Sequence, residues 1–277
     1  MRSTPVIAAA EAISILDQAI VLDVRVGSGA SVAFEAGHLP GAICVDIESD
    51  LSDLRDPATG GRHPLPSLDD WLARLGGWGV TTTSEVIIYD AAGGGMAAAR
   101  AWWMLRAIGH VSVAVVDGGW QALLQGGAPT EAGVTPALSV GPYRSQLQTW
   151  PNVDAAFVDR VRGDPAWRLI DVRAPERYAG TTEPLDPVAG HIPGARNLYW
   201  QSQLDDQGLF KAVATLQQRY AEVLGDVPAE RVVCYCGSGV TACHLLLAME
   251  ACGLSGAQLY VGSWSEWCRQ QRPRAPG

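Results

Sequence analysis

Six cysteines are spread through the 277 residues, and one stands where reactive chemistry is easily built. Cys236 closes the run VVCYC, rich in strand-forming residues, and Gly237, Ser238 and Gly239 follow it before an apolar helical pattern begins near Val240. The thiolate is the reactive form of cysteine, and a free thiol is mostly protonated at neutral pH. A strand–loop–helix unit favours the anion in two ways. The start of the helix turns its dipole and its unpaired N–H groups toward the strand end. Glycines at 237 and 239 let the backbone curl, so that successive N–H groups from Gly237 through Val240 and Thr241 converge as an anion nest. Ser238 adds a hydroxyl donor. Such a loop suits a sulfur anion, or a sulfur carrying one further sulfur. Cys234, Cys243 and Cys252 occupy apolar strand or helix positions and read as inert core thiols. Cys44 and Cys268 acquire no role. The spacing of Cys234, Cys236, Cys243 and His244 is a poor fit to a zinc site, and no metal is expected.

The elements that position Cys236 become legible through an internal repeat. VLDVR at Val21–Arg25 returns as LIDVR at Leu169–Arg173, and GHLPGA from Gly37 returns as GHIPGA from Gly190. VIIYD ending at Asp90 returns as VVCYC ending at Cys236, and DGGW ending at Trp120 returns as VGSW ending at Trp264. The pairs keep their order at offsets of about 150 residues, a typical domain length. Two tandem domains are expected, at residues 1–125 and 150–277, joined by a Gly/Pro-rich linker at 126–149. Within each, short β-branched runs alternate with longer helical patterns. That alternation predicts an α/β fold, each domain a parallel sheet with helices on both faces. Ligands of such sheets sit beyond the C-terminal strand ends, where Cys236 lies.

Each copy serves as a control for the other. Asp23 and Arg25, repeated as Asp171 and Arg173, and His38, repeated as His191, read as shared scaffold. Cys236 does not repeat: Asp90 stands at its counterpart. Gly93, Gly95 and Ala98, with Asp117 further on, resemble a dinucleotide fingerprint. The repeat accounts for the same segment without a cofactor, and its strand is not the first of the domain. A cysteine phosphatase needs C-x5-R, but the position counted from Cys236 is Ala242.

The totals limit the partners. Apolar residues make up 48% and the formal net charge is −9, which argues against nucleic acid or an anionic membrane surface. An anionic small substrate would need a local arginine cluster. No window is long and apolar enough to span a bilayer. Few cysteines and no C-x-x-C spacing point to a reduced, cytoplasmic protein. PVIAAAEAISIL, interrupted by Glu11, reads as a first helix rather than an export signal.

With the tandem copies, the motifs GHIPGA, CGSGVTA and GSWSEW resemble the two-domain, tandem rhodanese-type sulfurtransferases over nearly the whole chain. The loop is similar to that of 3-mercaptopyruvate sulfurtransferases. Basic residues, common after the cysteine in thiosulfate-preferring members, are absent. The resemblance implies two rhodanese-like domains, the first without the catalytic cysteine, and ping-pong sulfur transfer through a Cys236 persulfide. It implies a small-molecule donor, favoured as 3-mercaptopyruvate with thiosulfate as the alternative. A thiophilic acceptor (cyanide, a small thiol or thioredoxin) is implied as well, with no organic cofactor. A non-enzymatic persulfide carrier is the reading from another class. By the same resemblance, Ser238 works with His63 and Asp53 of the first copy as a proton relay, and Arg177 binds the donor carboxylate. A second family arginine is replaced by Leu185, and Arg62 is the residue placed to compensate. Trp264 and Trp267 are candidates to line the site, although matched Trp120 points to a core role for Trp264.

Overall fold

The computed structural model describes residues 4–92, 97–134, 136 and 138–275. In the first half, β1 (Val6–Ile7), β2 (Ala19–Arg25), β3 (Ile43–Asp46), β4 (Glu85–Tyr89) and β5 (Val113–Val116) form a parallel sheet of order β1-β5-β4-β2-β3. In the second half, β6 (Arg168–Asp171), β7 (Arg196–Asn197), β8 (Val232–Tyr235) and β9 (Gln258–Leu259) form a parallel sheet of order β7-β6-β8-β9. A parallel bridge between Val153 and Tyr260 pairs the chain beside β9, much as β1 flanks β5. The two sheets therefore share one topology, in agreement with the repeat, and both are flanked by helices.

Parallel sheets covered by helices are buried on both faces, and their strands read as unbroken apolar runs. The central strands obey this: Val86–Tyr89 and Val232–Tyr235 are fully buried. Helix starts follow local chemistry too. Ser67 caps Leu68–Gly77 by accepting the Asp70 N–H, and Asp154 caps Ala155–Val161 by accepting the Phe157 N–H.

The shared residues build the same joint twice. Arg25 donates to the Asp23 carboxylate and to the Gly37 carbonyl at 2.7 Å; Arg173 donates to Asp171 and to the Gly190 carbonyl at 2.7 Å. The Tyr89 hydroxyl accepts the Leu39 N–H as the Tyr235 hydroxyl accepts the Ile192 N–H. His38 and His191 each bond a carbonyl through Nδ1, of Phe34 and Tyr178 respectively, and stack on that residue's ring. These contacts tie the G-H-x-P-G turns to the sheets, the scaffold role expected of them.

Compactness divides the chain in an unexpected way. One unit holds Met1–Asp53, Pro66–Trp150 and Gln207–Leu209; the other holds Leu54–Leu65, Pro151–Asp206 and Phe210–Gly277. A twelve-residue stretch of the first copy thus belongs to the unit that contains Cys236. Within the first unit, residues 126–149 are partly bound down, with the Val140 N–H donated to Gly76 and the Tyr143 N–H to Leu72. Among the described residues, no helix is long and apolar enough to cross a membrane.

Candidate active site

Cys236 is the first residue beyond β8 and is buried. Both of its peptide groups are held: its N–H is donated to Ser263 Oγ at 3.1 Å, and its carbonyl accepts the Trp264 N–H at 3.0 Å. Its Sγ accepts the Gly239 N–H at 3.2 Å. The N–H groups of Ser238, Val240 and Thr241 find no backbone acceptor among the described residues. They lie just before the helix Ala242–Ala251. Gly239 makes the curl possible. Its φ is +78°, and a Cβ there would fall 2.4 Å from the Val261 carbonyl oxygen, so no other residue fits without displacement.

Burial pushes the thiols of Cys44, Cys234, Cys252 and Cys268 above the ordinary range, which holds them protonated.

The Ser238 hydroxyl shares a 2.7 Å hydrogen bond with His63 Nδ1. His63 reaches it from the stretch 54–65, which the second unit grips at several points. The Gly60 N–H is donated to Glu266 at 3.0 Å, the Arg62 N–H to Ser265 Oγ at 3.1 Å, and Gln270 donates to the Ala58 carbonyl at 3.1 Å. Gly61 makes this approach possible: with φ at +83°, a Cβ on it would lie 2.4 Å from the Gly262 carbonyl oxygen. The polar residues of GSWSEW therefore fix the segment that delivers Arg62 and His63.

Two guanidinium groups meet at the loop. A Cβ added to Gly237 would lie 3.1 Å from Arg62 Nη2, and 3.4 and 3.5 Å from the two terminal nitrogens of Arg177. Each arginine is anchored from behind by a buried carboxylate. Glu183 accepts from Arg177 at 2.6 Å and from Arg173 at 3.1 Å. Asp186 pairs with Arg62, accepts from Arg269 at 2.7 Å and lies 3.7 Å from Arg177. Leu185, between these acids, is 58% exposed and supplies no charge.

Cys236, Gly237, Ser238, Gly239, Val240, Thr241, Arg62, His63 and Arg177 thus belong to one unit. Asp53 belongs to the other. Trp264 and Trp267 are fully buried, with their indole N–H groups bonded to the carbonyls of Val188 and Pro273. They form core, as the match with Trp120 pointed to for Trp264; for Trp267 this corrects the expectation that it lines the site. In the first copy, Asp90 satisfies its own surroundings: its carboxylate accepts the N–H groups of Ala92 at 2.9 Å and Ala98 at 3.1 Å. Gly93 and Gly95 lie outside the described residues. Sequence reasoning passed over Glu183, Asp186 and Ser263. Ser263 alone carried a signal, as the serine of VGSW opposite the second glycine of DGGW.

The chain is similar to known proteins over most of its length. The Rhodanese-like domain profile matches twice, at residues 8–125 and 154–270. The chain is 38% identical over 264 residues to a probable 3-mercaptopyruvate sulfurtransferase of Pseudomonas aeruginosa, covering 93% of this chain and 92% of that one. It is also 38% identical over 263 residues to a putative thiosulfate sulfurtransferase, SseB, of Mycobacterium tuberculosis, covering 94% and 89%. Among solved structures, 3-mercaptopyruvate sulfurtransferase from Leishmania major superposes with a TM-score of 0.86 at 28% identity, over 99% of this chain and 76% of that one.

Proposed function

We propose a sulfurtransferase active on a small anionic donor, starting from the premise that this chain belongs to the rhodanese-like domain family and carries its domain twice. The favoured donor is 3-mercaptopyruvate. One observation carries the reading: the thiol, the Ser238–His63 pair and two guanidinium groups converge on one loop.

The Cys236 thiolate attacks the donor sulfur. An S–S bond forms and the donor's C–S bond breaks, its electron pair passing to carbon as the enolate of pyruvate. The proton given up by the donor sulfhydryl is returned to that carbon, and the hydrogen-bonded Ser238 and His63 are the groups that carry it. Arg177 and Arg62 hold the carboxylate; Arg suits this because its planar fork matches two oxygens. The loop N–H groups from Gly237 to Thr241 stabilise the outer sulfur of the persulfide. Cyanide, a small thiol or thioredoxin then attacks that sulfur, the S–S bond breaks, and the electron pair returns to Cys236 as thiolate. No metal or organic cofactor enters either half of the cycle.

Thiosulfate is the second reading of the donor, favoured by Leu185 at the place of a family arginine and by the name of the mycobacterial relative. A carrier role, in which Cys236 hands its sulfur to a dedicated protein, needs the same persulfide. The reading keeps the sequence domains at 1–125 and 150–277 with the linker at 126–149, supported by the two matched ranges. It also keeps a cytoplasmic location, supported by cysteine usage.

The test is kcat/KM for mercaptopyruvate and thiosulfate with cyanide as acceptor, in the parent protein and in Cys236→Ser. We expect faster turnover of mercaptopyruvate and none by the variant. Preference for thiosulfate would overturn the donor assignment, and an active Cys236→Ser would overturn the nucleophile. Sulfur loading without release to any small acceptor would favour the carrier.

A further inference from the structure

We infer that Ser263 is a positioning residue for Cys236, its buried hydroxyl holding the backbone of the nucleophile; the inference rests on the proposed role of Cys236. Among the described residues, Ser263 is the one non-glycine residue with positive φ, at 53°. L-residues avoid this left-handed region because Cβ crowds the following carbonyl. Glycine would occupy it without strain, and the first copy demonstrates this: Gly119 adopts φ 54° at the matching position. The turn itself is the same in both copies. The Trp120 N–H is donated to the Asp90 carbonyl at 2.9 Å, as the Trp264 N–H is to that of Cys236 at 3.0 Å.

The turn therefore does not need a serine. What the strained residue adds is its hydroxyl, which accepts the Cys236 N–H at 3.1 Å and donates to the Tyr260 carbonyl at 2.9 Å. This bond occurs in the copy that bears the thiol. With its N–H and its carbonyl both fixed, Cys236 has little freedom to tilt its Cα–Cβ bond. Sγ is held against the Gly239 N–H at 3.2 Å. Strain that persists beside a reactive group, where an unstrained residue would serve the fold, is a mark of function.

The test is Ser263→Gly, the residue of the first copy, which that copy shows to be compatible with the turn. Three quantities are read: the single-turnover rate of sulfur loading onto Cys236, the rate of its alkylation by iodoacetamide, and amide hydrogen exchange at Cys236. Misplacement of a reacting group by about 1 Å costs up to about a hundredfold, so a drop of at least about tenfold in loading is expected. Donor KM should hold, because Arg62 and Arg177 are untouched, and Tm should change little. The Cys236 amide should exchange slowly in the parent and faster in the variant. A merely structural serine would lower Tm and leave the loading rate of the folded protein intact. Loading at the parent rate, or a Cys236 amide that exchanges equally fast in both proteins, would overturn the inference. Alkylation and exchange report the hold of Ser263 on Cys236 even if Cys236→Ser retains turnover, so failure here is distinct from failure of the nucleophile assignment.

Discussion

Replacing Arg62 with Gln removes one of the two cations beside Gly237 and leaves a shorter, polar side chain. Arg62 Nη2 stands 3.1 Å from the position of a Gly237 Cβ, so a donor anion over the loop falls about one hydrogen bond away. A hydrogen bond to a charged group contributes about 1.5–3 kcal/mol. The bare Coulomb term for two unit charges 5 Å apart in an effective dielectric of 20 is about 3 kcal/mol. The Arg62 side chain is 22% exposed, which screens part of that, and about 2 kcal/mol remains as the expected loss. At tenfold per 1.4 kcal/mol, kcat/KM for mercaptopyruvate should fall about 30-fold. The loss should appear in KM, because the carboxylate is held alike in ground and transition states. Thiosulfate, with two charges, should lose more. The assay is initial-rate kinetics with both donors and saturating cyanide. Melting and Cys236 alkylation serve as controls, since Asp186 keeps Arg269 at 2.7 Å when Arg62 is gone. A change below about threefold with an unaltered Tm would refute the reasoning, because a cation touching the donor cannot be that cheap.

Three further outcomes are expected. Ser238→Ala and His63→Asn should each slow mercaptopyruvate turnover at least about tenfold while sparing thiosulfate, whose sulfur departs without a carbanion; equal losses for both donors would refute the relay. Gly239→Ala forces an L-residue to φ +78° and a Cβ to 2.4 Å from Val261 O, so Tm should fall and alkylation of Cys236 should change; unaltered melting and alkylation would deny the tight curl. His244 is fully buried, with neither ring nitrogen hydrogen-bonded, and burial pushes its pKa down to about 3. Folding therefore keeps it neutral, while the unfolded chain binds a proton below pH about 6.5; its stability is complete above that pH and lost as pH falls toward 3. By pH 5 the loss is about 2 kcal/mol, and His244→Leu should remove that part of the pH slope in urea titrations at pH 7 and 5; an unchanged slope would contradict it.

What the sequence disclosed followed from how locally each feature is encoded. The repeat exposed the doubled sheet, because strand ends, turns and scaffold pairs recur as short motifs. Cys236 was legible for the same reason: strand, glycines and helix start are contiguous. The meeting of His63 with Ser238 was available through family resemblance alone, since 175 positions separate the partners of that bond. Asp186 and Glu183 were passed over because an acid that anchors arginines looks, in sequence, like any surface acid. Ser263 left a trace in the repeat, as the serine opposite Gly119, but the backbone angle that gives it meaning is spelled out by no residue pattern. The indole of Trp267 misled for another reason. Trp267 belongs to a motif shared with the family, which suggested access, but it is fully buried; for Trp264 the match with Trp120 had already pointed to the core.

The location of residues 54–65 has a consequence for how such a chain can evolve. After a duplication, the half that loses its nucleophile is ordinarily free to drift. Here it is not, because the stretch carrying Arg62 and His63 is encoded in that half and belongs to the compact unit of the other. Expression of residues 150–277 alone would yield Cys236 and Arg177 without them. A recombination breakpoint within 126–149, by contrast, would leave Cys236 and its loop untouched while exchanging the segment that supplies the second cation and the imidazole. The half without the thiol is then the natural place for donor preference to diverge, with the sulfur-transfer step inherited unchanged.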